Sequence, residues 1–514
     1  MSHWGRGASP IRSVRNNVGA SLIGQGWSAA IQLLFIPVYL RLLGIEVYGL
    51  IGFYATLQGT LQILDMGLSP TMNRELARYS ALGEIHEARD FVRTLQTFYW
   101  GIGIIIGAGV WLAAPLIATR WIHASSIPNA QLLSAVRLMG LLVVLQWPLS
   151  FYVGGLIGLQ RQPLYNAIKI VIVTLANVGA AIVLYSVSRT IAAFLTWQIL
   201  VNALYAVLLA LALWHQISSP ERSRFRLDVL KKVWRFAAGM AGIGLSALIL
   251  TQLDKIILIK ILALREFGYY ALATTASGGL SILITSVFNG LFPRFSSLVA
   301  QADESALRKL YRNGTQLMAV GILPAAAVMA FHAHALAFAW TGDQLVTAHV
   351  APLIAILAIG TALNGLMFLP YALQLAYGWT RIGLGINAFL SVLLVPAIFI
   401  LANRFGAIGG ASVWLALNVI YMAIGVPLTH KRLLKGETWR WFGHDVGPGA
   451  LGAIAGAGLV RMLLPFPTSR MAALVTVAIA FLVSTATAGF LAPGARHFVQ
   501  TLLQKAGERY SVRV

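Results

Sequence analysis

The chain has 514 residues, of which 58% are hydrophobic and only 11% charged, and it carries a net charge of +22. A soluble domain carries about 25% charged residues, so the composition excludes a soluble enzyme and indicates a polytopic membrane protein. The positive charge does not indicate nucleic acid, because the bases sit in short loops between apolar runs, where membrane orientation requires them; the absence of Cys removes disulfides, thiol catalysis and thiolate metal sites.

Residues Met1–Val18 carry Arg6, Arg12 and Arg15 ahead of a long apolar run. No small-residue cleavage site follows and the run is long enough to span, so it reads as a retained first helix. Apolar runs of about 20 residues, the length that crosses a hydrocarbon core, recur about 14 times. They lie at roughly 20–43, 47–68, 94–118, 132–158, 164–187, 190–213, 236–262, 267–290, 314–340, 347–372, 382–402, 406–427, 447–464 and 470–491. An all-α chain is expected, since each span must satisfy its own backbone polar groups.

With the N-terminus in the cytoplasm, 28 of the 38 Lys and Arg fall at cytoplasmic ends. They include Arg74, Arg78, Arg89 and Arg93; Arg222, Arg224, Arg226, Lys231, Lys232 and Arg235; Arg308, Lys309 and Arg312; and Arg496, Lys505, Arg509 and Arg513. This bias predicts that both termini are cytoplasmic. The longest loops, around Pro70–Arg93, Gln216–Arg235 and Arg294–Asn313, look amphipathic. The mixed signs of Arg74, Glu75, Arg78, Glu87 and Arg93 suggest an interfacial helix. No loop is large enough for a soluble catalytic domain.

An internal repeat organises the chain. Arg41–Gly49 aligns with Lys260–Gly268 at an offset of 219, Gly67–Pro70 with Gly290–Pro293 at 223, and Gly158–Arg161 with Gly378–Arg381 at 220. Spans 1–6 and 7–12 are therefore two copies. An even number of spans makes the repeat parallel, with a site expected between the halves. The expected division is an N-lobe at 1–215, a C-lobe at 216–432, and 433–514 holding two further helices and a basic cytoplasmic tail.

Charges inside spans are expensive and mark functional candidates. Asp65 and Asp254 are the two acids well inside, and Lys255 adjoins Asp254. Neighbours on a helix point about 100° apart, so each is expected to need a partner elsewhere; the alternative is a pair that fixes helix orientation. Asp254 lies about 12 Å from the outer end of its span at 1.5 Å per residue, and Arg137 is about as deep. Arg41, Arg137, Lys255 and Lys260 could line the outer half of one cavity, where guanidinium groups would fork onto phosphate oxygens. For Arg41 and Lys260 the competing reading is snorkelling to the interface. His332 and His334, two apart on a helix, are expected to face different ways and to chelate poorly. Gly452 and Gly456 are expected to allow close helix packing. There is no P-loop and no nucleophile–base or paired-carboxylate constellation, so the chain is not expected to be an enzyme.

Tyr39–Gly44 followed by Tyr48-Gly49-Leu50, Leu64–Leu68 followed by Arg74–Ala77, Gly158–Arg161 with Tyr165-Asn166, Leu253-Asp254-Lys255 leading to Tyr269–Ala271, Phe292-Pro293-Arg294 and Gly406–Ala411 together resemble the bacterial polysaccharide-flippase family of the multidrug/oligosaccharidyl-lipid/polysaccharide (MOP) exporter superfamily. The resemblance covers about residues 17–430. It implies two six-helix lobes plus two C-terminal helices, and export of O-antigen or exopolysaccharide repeat units on undecaprenyl diphosphate by alternating access in the bacterial inner membrane. It also implies that Asp254 corresponds to a sodium-binding Asp of the lipid II flippases. Spans 11 and 12 supply Asn387 and Asn418, but no second Asp, so either Na+ or H+ remains as the coupling ion. Gln25 and Gln32 stand in span 1 where lipid II flippases carry an Arg-Asp pair, which favours a sugar-repeat flippase. Expected partners are the lipid-linked oligosaccharide, membrane lipids and other polysaccharide-assembly proteins. The alternatives are a cation-coupled multidrug exporter of the same superfamily, or a membrane polysaccharide polymerase or ligase.

Overall fold

The computed structural model describes residues 10–65, 68–221, 223–228, 231 and 251–493. Several bases that set the expected orientation, namely Arg6, Arg222, Lys232, Arg235, Arg496, Lys505, Arg509 and Arg513, lie outside the described residues, as do Met66, Gly67 and most of the span expected at 236–262. The chain divides into two compact units, Met1–Gly268 and Tyr269–Val514.

The first unit contains α1 (Pro10–Leu43), α2 (Ile45–Leu64), α3 (Leu68–Leu82), α4 (Ile85–Leu116) with a π-helical turn at Ile117–Trp121, α5 (Asn129–Gly158), α6 (Gln162–Ser186), α7 (Ile191–Gln216), α8 (251–261) and the start of α9 (Leu264–Gly278). The second continues with α10 (Leu280–Ala300), α11 (Glu304–Phe331), α12 (Ala333–Thr341), α13 (Gln344–Leu366), α14 (Phe368–Ala376), α15 (Thr380–Leu433), α16 (Thr438–Arg440), a π-helical turn at Trp441–Val446, α17 (Gly447–Leu463) and α18 (Arg470–Leu491). The described residues contain no strand, only one isolated backbone bridge between His123 and Ala263.

Among the described residues, eleven helical segments are long and apolar enough to cross a membrane. One of them, Gly385–Leu433, holds two expected spans, because Gly406 (φ 60°, ψ −140°) breaks α15. The 20-residue α2 supplies the second expected span. Large apolar side chains such as Ile105, Leu112, Leu451 and Leu482 are exposed, as lipid-facing residues are, while α4, α5 and α7 bury Tyr99, Phe151 and Leu213 against one another. Thr190, Asp303, Asp343 and Ser469 cap α7, α11, α13 and α18, each side-chain oxygen accepting from a first-turn N–H. The interfacial helix is shorter than expected. It is α3, which buries Leu68, Met72 and Leu76 and exposes Arg74 and Arg78; Glu87 and Arg93 belong to α4.

The backbone repeats at the helix ends. Gly83 and Ala302 both have positive φ, 74° and 54°, and stand 219 apart. Around them Glu84 N donates to Tyr79 O and Ile85 N to Gly83 O. Asp303 N donates to Leu298 O and Glu304 N to Ala302 O at the same offset. At the next pair of turns Arg161 N donates to Leu156 O and Gln160 N to Ile157 O, while Trp379 N donates to Gln374 O and Gly378 N to Leu375 O. Both are Schellman caps with a left-handed residue, Gln160 (φ 57°) or Gly378 (φ 66°). This corrects two sequence alignments. Gly378 corresponds to Gln160, an offset of 218, rather than to Gly158. The 223 offset departs from the 219 kept by the turns on either side; Gly67 lies outside the described residues, and Leu68–Pro70 open α3 whereas Pro293 lies inside α10. Short Gly-containing motifs match by composition, and only the left-handed residue fixes register.

A side chain in the left-handed region costs roughly 1–2 kcal/mol, and in each repeat one such turn lacks its glycine. Gln160→Gly and Ala302→Gly are each expected to stabilise the protein by about 0.5–1 kcal/mol, the gain falling below the steric figure because glycine also loosens the unfolded chain. Thermal unfolding of the two variants checks this; a lower melting temperature for both would contradict the assigned turns.

The turns first aligned, Arg41–Gly49 and Lys260–Gly268, cross each other. Tyr48 N donates to Gly44 O and Phe267 N to Ala263 O, again 219 apart. A Cβ on Gly49 would strike the carbonyl oxygen of Leu264, and a Cβ on Gly268 would strike that of Ile45. Ile45 and Leu264 are themselves 219 apart, so the contact is reciprocal, as about a local two-fold axis.

Candidate functional site

Asp254 lies on α8 with 6% of its surface exposed. Gly59 of α2 leaves room for Gln252, whose Nε2 stands 2.7 Å from where a Cβ would be, and this brings α8 against α2 just before the acid. Asp254 and Lys255, expected to need partners elsewhere, also meet each other. Lys255 Nζ donates to Thr251 O at 2.6 Å and reaches Asp254 Oδ1 at 3.3 Å. The 100° between neighbouring Cβ directions is overcome because the lysine stem is long enough to curl back along its own helix.

The other cations are held by different neighbours. The Arg137 guanidinium on α5 lies 5.4 Å from the Trp111 ring centre, and Lys260 Nζ lies 5.0 Å from that of Trp121. Trp111 and Trp121 are on α4 and its π-helical turn, so one stretch of chain carries both contacts. Cations attract aromatic faces by about 0.5–1 kcal/mol at exposed sites and more when desolvated. Arg137 Nε is buried with no hydrogen-bond partner among the described residues. Arg41 is exposed in the last turn of α1. The same end of α4 leads into Ser125 and Ser126, whose N–H groups donate to Glu46, and His123 O accepts from Leu264 N.

Asp65, the first of the two acids expected well inside spans, is structural. Its carboxylate accepts from Tyr99 Oη (2.6 Å), Ser150 Oγ (3.3 Å) and Ser69 N (3.0 Å), tying the start of α3 to α4 and α5. In the second unit Asn418 is buried. Its Oδ1 accepts from Asn364 Nδ2 at 2.8 Å and its Nδ2 donates to Trp414 O. Asn387 is half-buried, and its backbone carbonyl accepts from Ser391 Oγ.

Sequence reasoning missed two features. In the first unit, Gln58 donates to both Tyr54 Oη and Gln146 Oε1, and Gln146 donates to Asn202, which joins α2, α5 and α7 by amides. Gln146 stands 218 residues before Asn364, so the amide bridge recurs in the second unit; a search for amides at the repeat offset would have found it. In the second unit, Asp445 is 2% exposed, so Asp254 is not the only deep acid of the second repeat and its appendage. Asp445 Oδ1 accepts from Gln316 Nε2 at 3.0 Å, while Oδ2 has no partner among the described residues. It sits in the π-helical turn that opens α17, a turn that hydropathy alone reads as loop.

Glu437, between α15 and α16, clasps α11. Arg312 donates to it at 2.9 and 2.5 Å and Arg308 at 3.0 Å. These donors, Arg312 first and against the opposing effect of burial, hold its carboxyl below the ordinary value of 4.5. A depressed folded value contributes stability above the unfolded value and loses it as pH falls through the folded one. Glu437→Gln is therefore expected to cost about 1–2 kcal/mol near neutrality, discounted for the partial exposure of the two Arg. The difference from wild type should vanish in acid. Thermal unfolding across pH measures it, and a pH-independent deficit would show that the charge is not what Glu437 contributes.

Among the described residues no cluster of His, Asp or Glu is arranged to hold a metal ion.

A family model described as polysaccharide biosynthesis protein matches residues 38–349. A Shigella flexneri protein assigned as an O-antigen transporter is 20% identical over 421 residues, 82% of this chain and 98% of that protein. The succinoglycan biosynthesis transport protein ExoT of Rhizobium meliloti is 24% identical over 452 residues, 85% of this chain and 82% of that one. Among solved structures, the lipid II flippase MurJ in an inward closed conformation superposes with a TM-score of 0.65 at 12% identity, covering 95% of this chain and all of that one. An inward-facing multidrug resistance MATE family transporter of the MOP superfamily gives 0.64 at 14% identity, over 79% of this chain and 94% of that one.

Proposed function

Because the chain belongs to the polysaccharide biosynthesis protein family, a multi-pass membrane protein with relatives that are transporters, we propose that it is a flippase. Its cargo is an undecaprenyl-diphosphate-linked oligosaccharide, an O-antigen or exopolysaccharide repeat unit. It moves that cargo to the outer leaflet of the bacterial inner membrane by alternating access, with both termini cytoplasmic.

The observation that carries the reading is Arg137. It is a cation deep in a spanning helix, on an aromatic face, with a buried Nε that donates to nothing among the described residues. A diphosphate supplies the acceptors that such a group lacks, and Trp111 and Trp121 add flat faces of the kind on which sugar rings stack. Arg41, Lys255 and Lys260 are the further cations of the substrate path. No nucleotide motif is present, so the work comes from gradients. One charge crossing about 100 mV is worth about 2.3 kcal/mol, and a diphosphate with about two charges gains roughly 4–5 kcal/mol on leaving a negative interior. Asp254 takes the coupling cation, a proton or sodium, on the return stroke, and Lys255 is the counter-charge it exchanges against.

A strain lacking the gene is expected to accumulate lipid-linked repeat units on the cytoplasmic side. Wild type and Arg189→Gln, a change in an exposed loop, should clear them, and Arg137→Gln should not, at equal protein level. Absence of accumulation would overturn the reading.

A further inference from the structure

We propose that the cavity at the break between α11 and α12 binds a phosphoryl group, carried by a lipid headgroup or as free phosphate. The sequence suggests that His332 and His334 face different ways, and the structure corrects this. His332 is a junction residue (φ −116°, ψ 25°) between the end of α11 and the start of α12, so the two side chains do not follow one helical wheel. Both line one cavity that is partly open to the surroundings, together with Arg461 of α17, Thr476 of α18 and the Pro465-Phe466-Pro467 connection.

The lining chemistry favours an anion. Arg461 stacks on the Phe466 ring at 3.9 Å. Stacking occupies the face of a guanidinium and leaves its in-plane N–H fork for phosphate oxygens. His334 meets the edge of the same ring, and its Nδ1 is buried without a partner among the described residues. His332 Nε2 donates to the Ala457 carbonyl at 3.0 Å, which fixes that ring in the wall. Among the described residues no carboxylate lines the cavity.

The surroundings favour a lipid. α11 begins at the basic end of Arg308, Lys309 and Arg312, so His332, at its far end, lies at the opposite membrane face. Met462, Leu463, Phe466 and Met471 beside Arg461 are 87%, 70%, 61% and 70% exposed, an apolar surface on which acyl chains would lie. The site does not depend on what the protein transports.

The test is thermal unfolding of the purified full-length protein titrated with short-chain phosphatidylglycerol, short-chain phosphatidylcholine or inorganic phosphate. Saturable stabilisation by phosphatidylglycerol, without a matching effect of phosphatidylcholine, is expected. Arg461→Gln should raise the half-saturating concentration about tenfold, the scale of one lost charge-assisted fork. Arg461→Lys should give an intermediate value, His334→Gln a smaller rise, and Arg189→Gln none. Saturation by inorganic phosphate at the same concentration, equally sensitive to Arg461, assigns free phosphate as the ligand. Equal stabilisation by phosphatidylcholine, no saturable effect of either anion, or wild-type binding in both Arg461→Lys and His334→Gln would overturn the proposal.

Discussion

Replacing Asp254 by Asn is expected to cost about 3 kcal/mol, because it strands a half-buried lysine beside a lost carboxylate; breaking one partner of a buried pair costs about 3–5 kcal/mol. The lower end applies here, since Lys255 keeps the Thr251 carbonyl. The double variant Asp254→Asn with Lys255→Gln removes both charges together, and most of the stability should return. Export should not return with it. Proteoliposome transport with proton and sodium gradients imposed separately is the matching measurement, and neither gradient should drive the double variant. If the double variant regains both stability and gradient-driven transport, the pair is architectural and Asp254 leaves the mechanism. The double-mutant cycle is needed because either single change confounds folding with coupling.

Gly49→Ala and Gly268→Ala are each expected to destabilise by about 2–3 kcal/mol, the upper range for overpacking. The new methyl group meets a backbone carbonyl, of Leu264 or Ile45, which has no rotamer to yield. Because the two contacts are reciprocal at one offset, the two costs should be similar. Their sum should exceed the double variant's cost, since the first methyl already parts the turns for the second. Thermal unfolding of the three variants decides. Sensitivity at one glycine alone would mean that the crossing is not symmetric. Under the proposed alternating access, this crossing is where two equivalent helix starts must pivot, so loss of export at retained protein level is the expected companion.

The membrane class, the helical content and the recurring turns are legible in the sequence because each rests on a periodic or compositional signal. Apolar runs have a length set by the bilayer, and Arg41–Gly49 aligns with Lys260–Gly268 at one offset, sharing Leu43/Leu262 and Gly49/Gly268 and similar residues between. Close packing at Gly452 and Gly456 was legible for the same reason. A Cβ on Gly452 would strike Thr487 O and one on Gly456 would press on Ser484, so these glycines let α17 lie against α18.

Register and side-chain partnership were not legible. The Gly158 and Gly378 match was displaced by two residues because glycine tolerates positive φ but does not mark it, and Gln160 holds the equivalent conformation without being glycine. Asp445 gave no signal in the sequence because it precedes the apolar run at 447–464, and a π-helical turn carries the helix back to include it. A wheel drawn for one continuous helix separated His332 from His334, and the break at His332 brings them to one cavity.

By itself the sequence determined the class, the spans, the repeat and the excess of cations over acids, since these depend on composition and on periods the chain must obey locally. Only the tertiary structure decided which charges are spent. Asp65 is bonded by Tyr99 and Ser69, Asp254 meets Lys255 and Glu437 is held by two arginines, while Arg137 Nε has no hydrogen-bond partner among the described residues. The physical reason is that a buried charge is satisfied by whichever donor or acceptor packing brings within about 3 Å, and that donor often comes from a helix far along the chain.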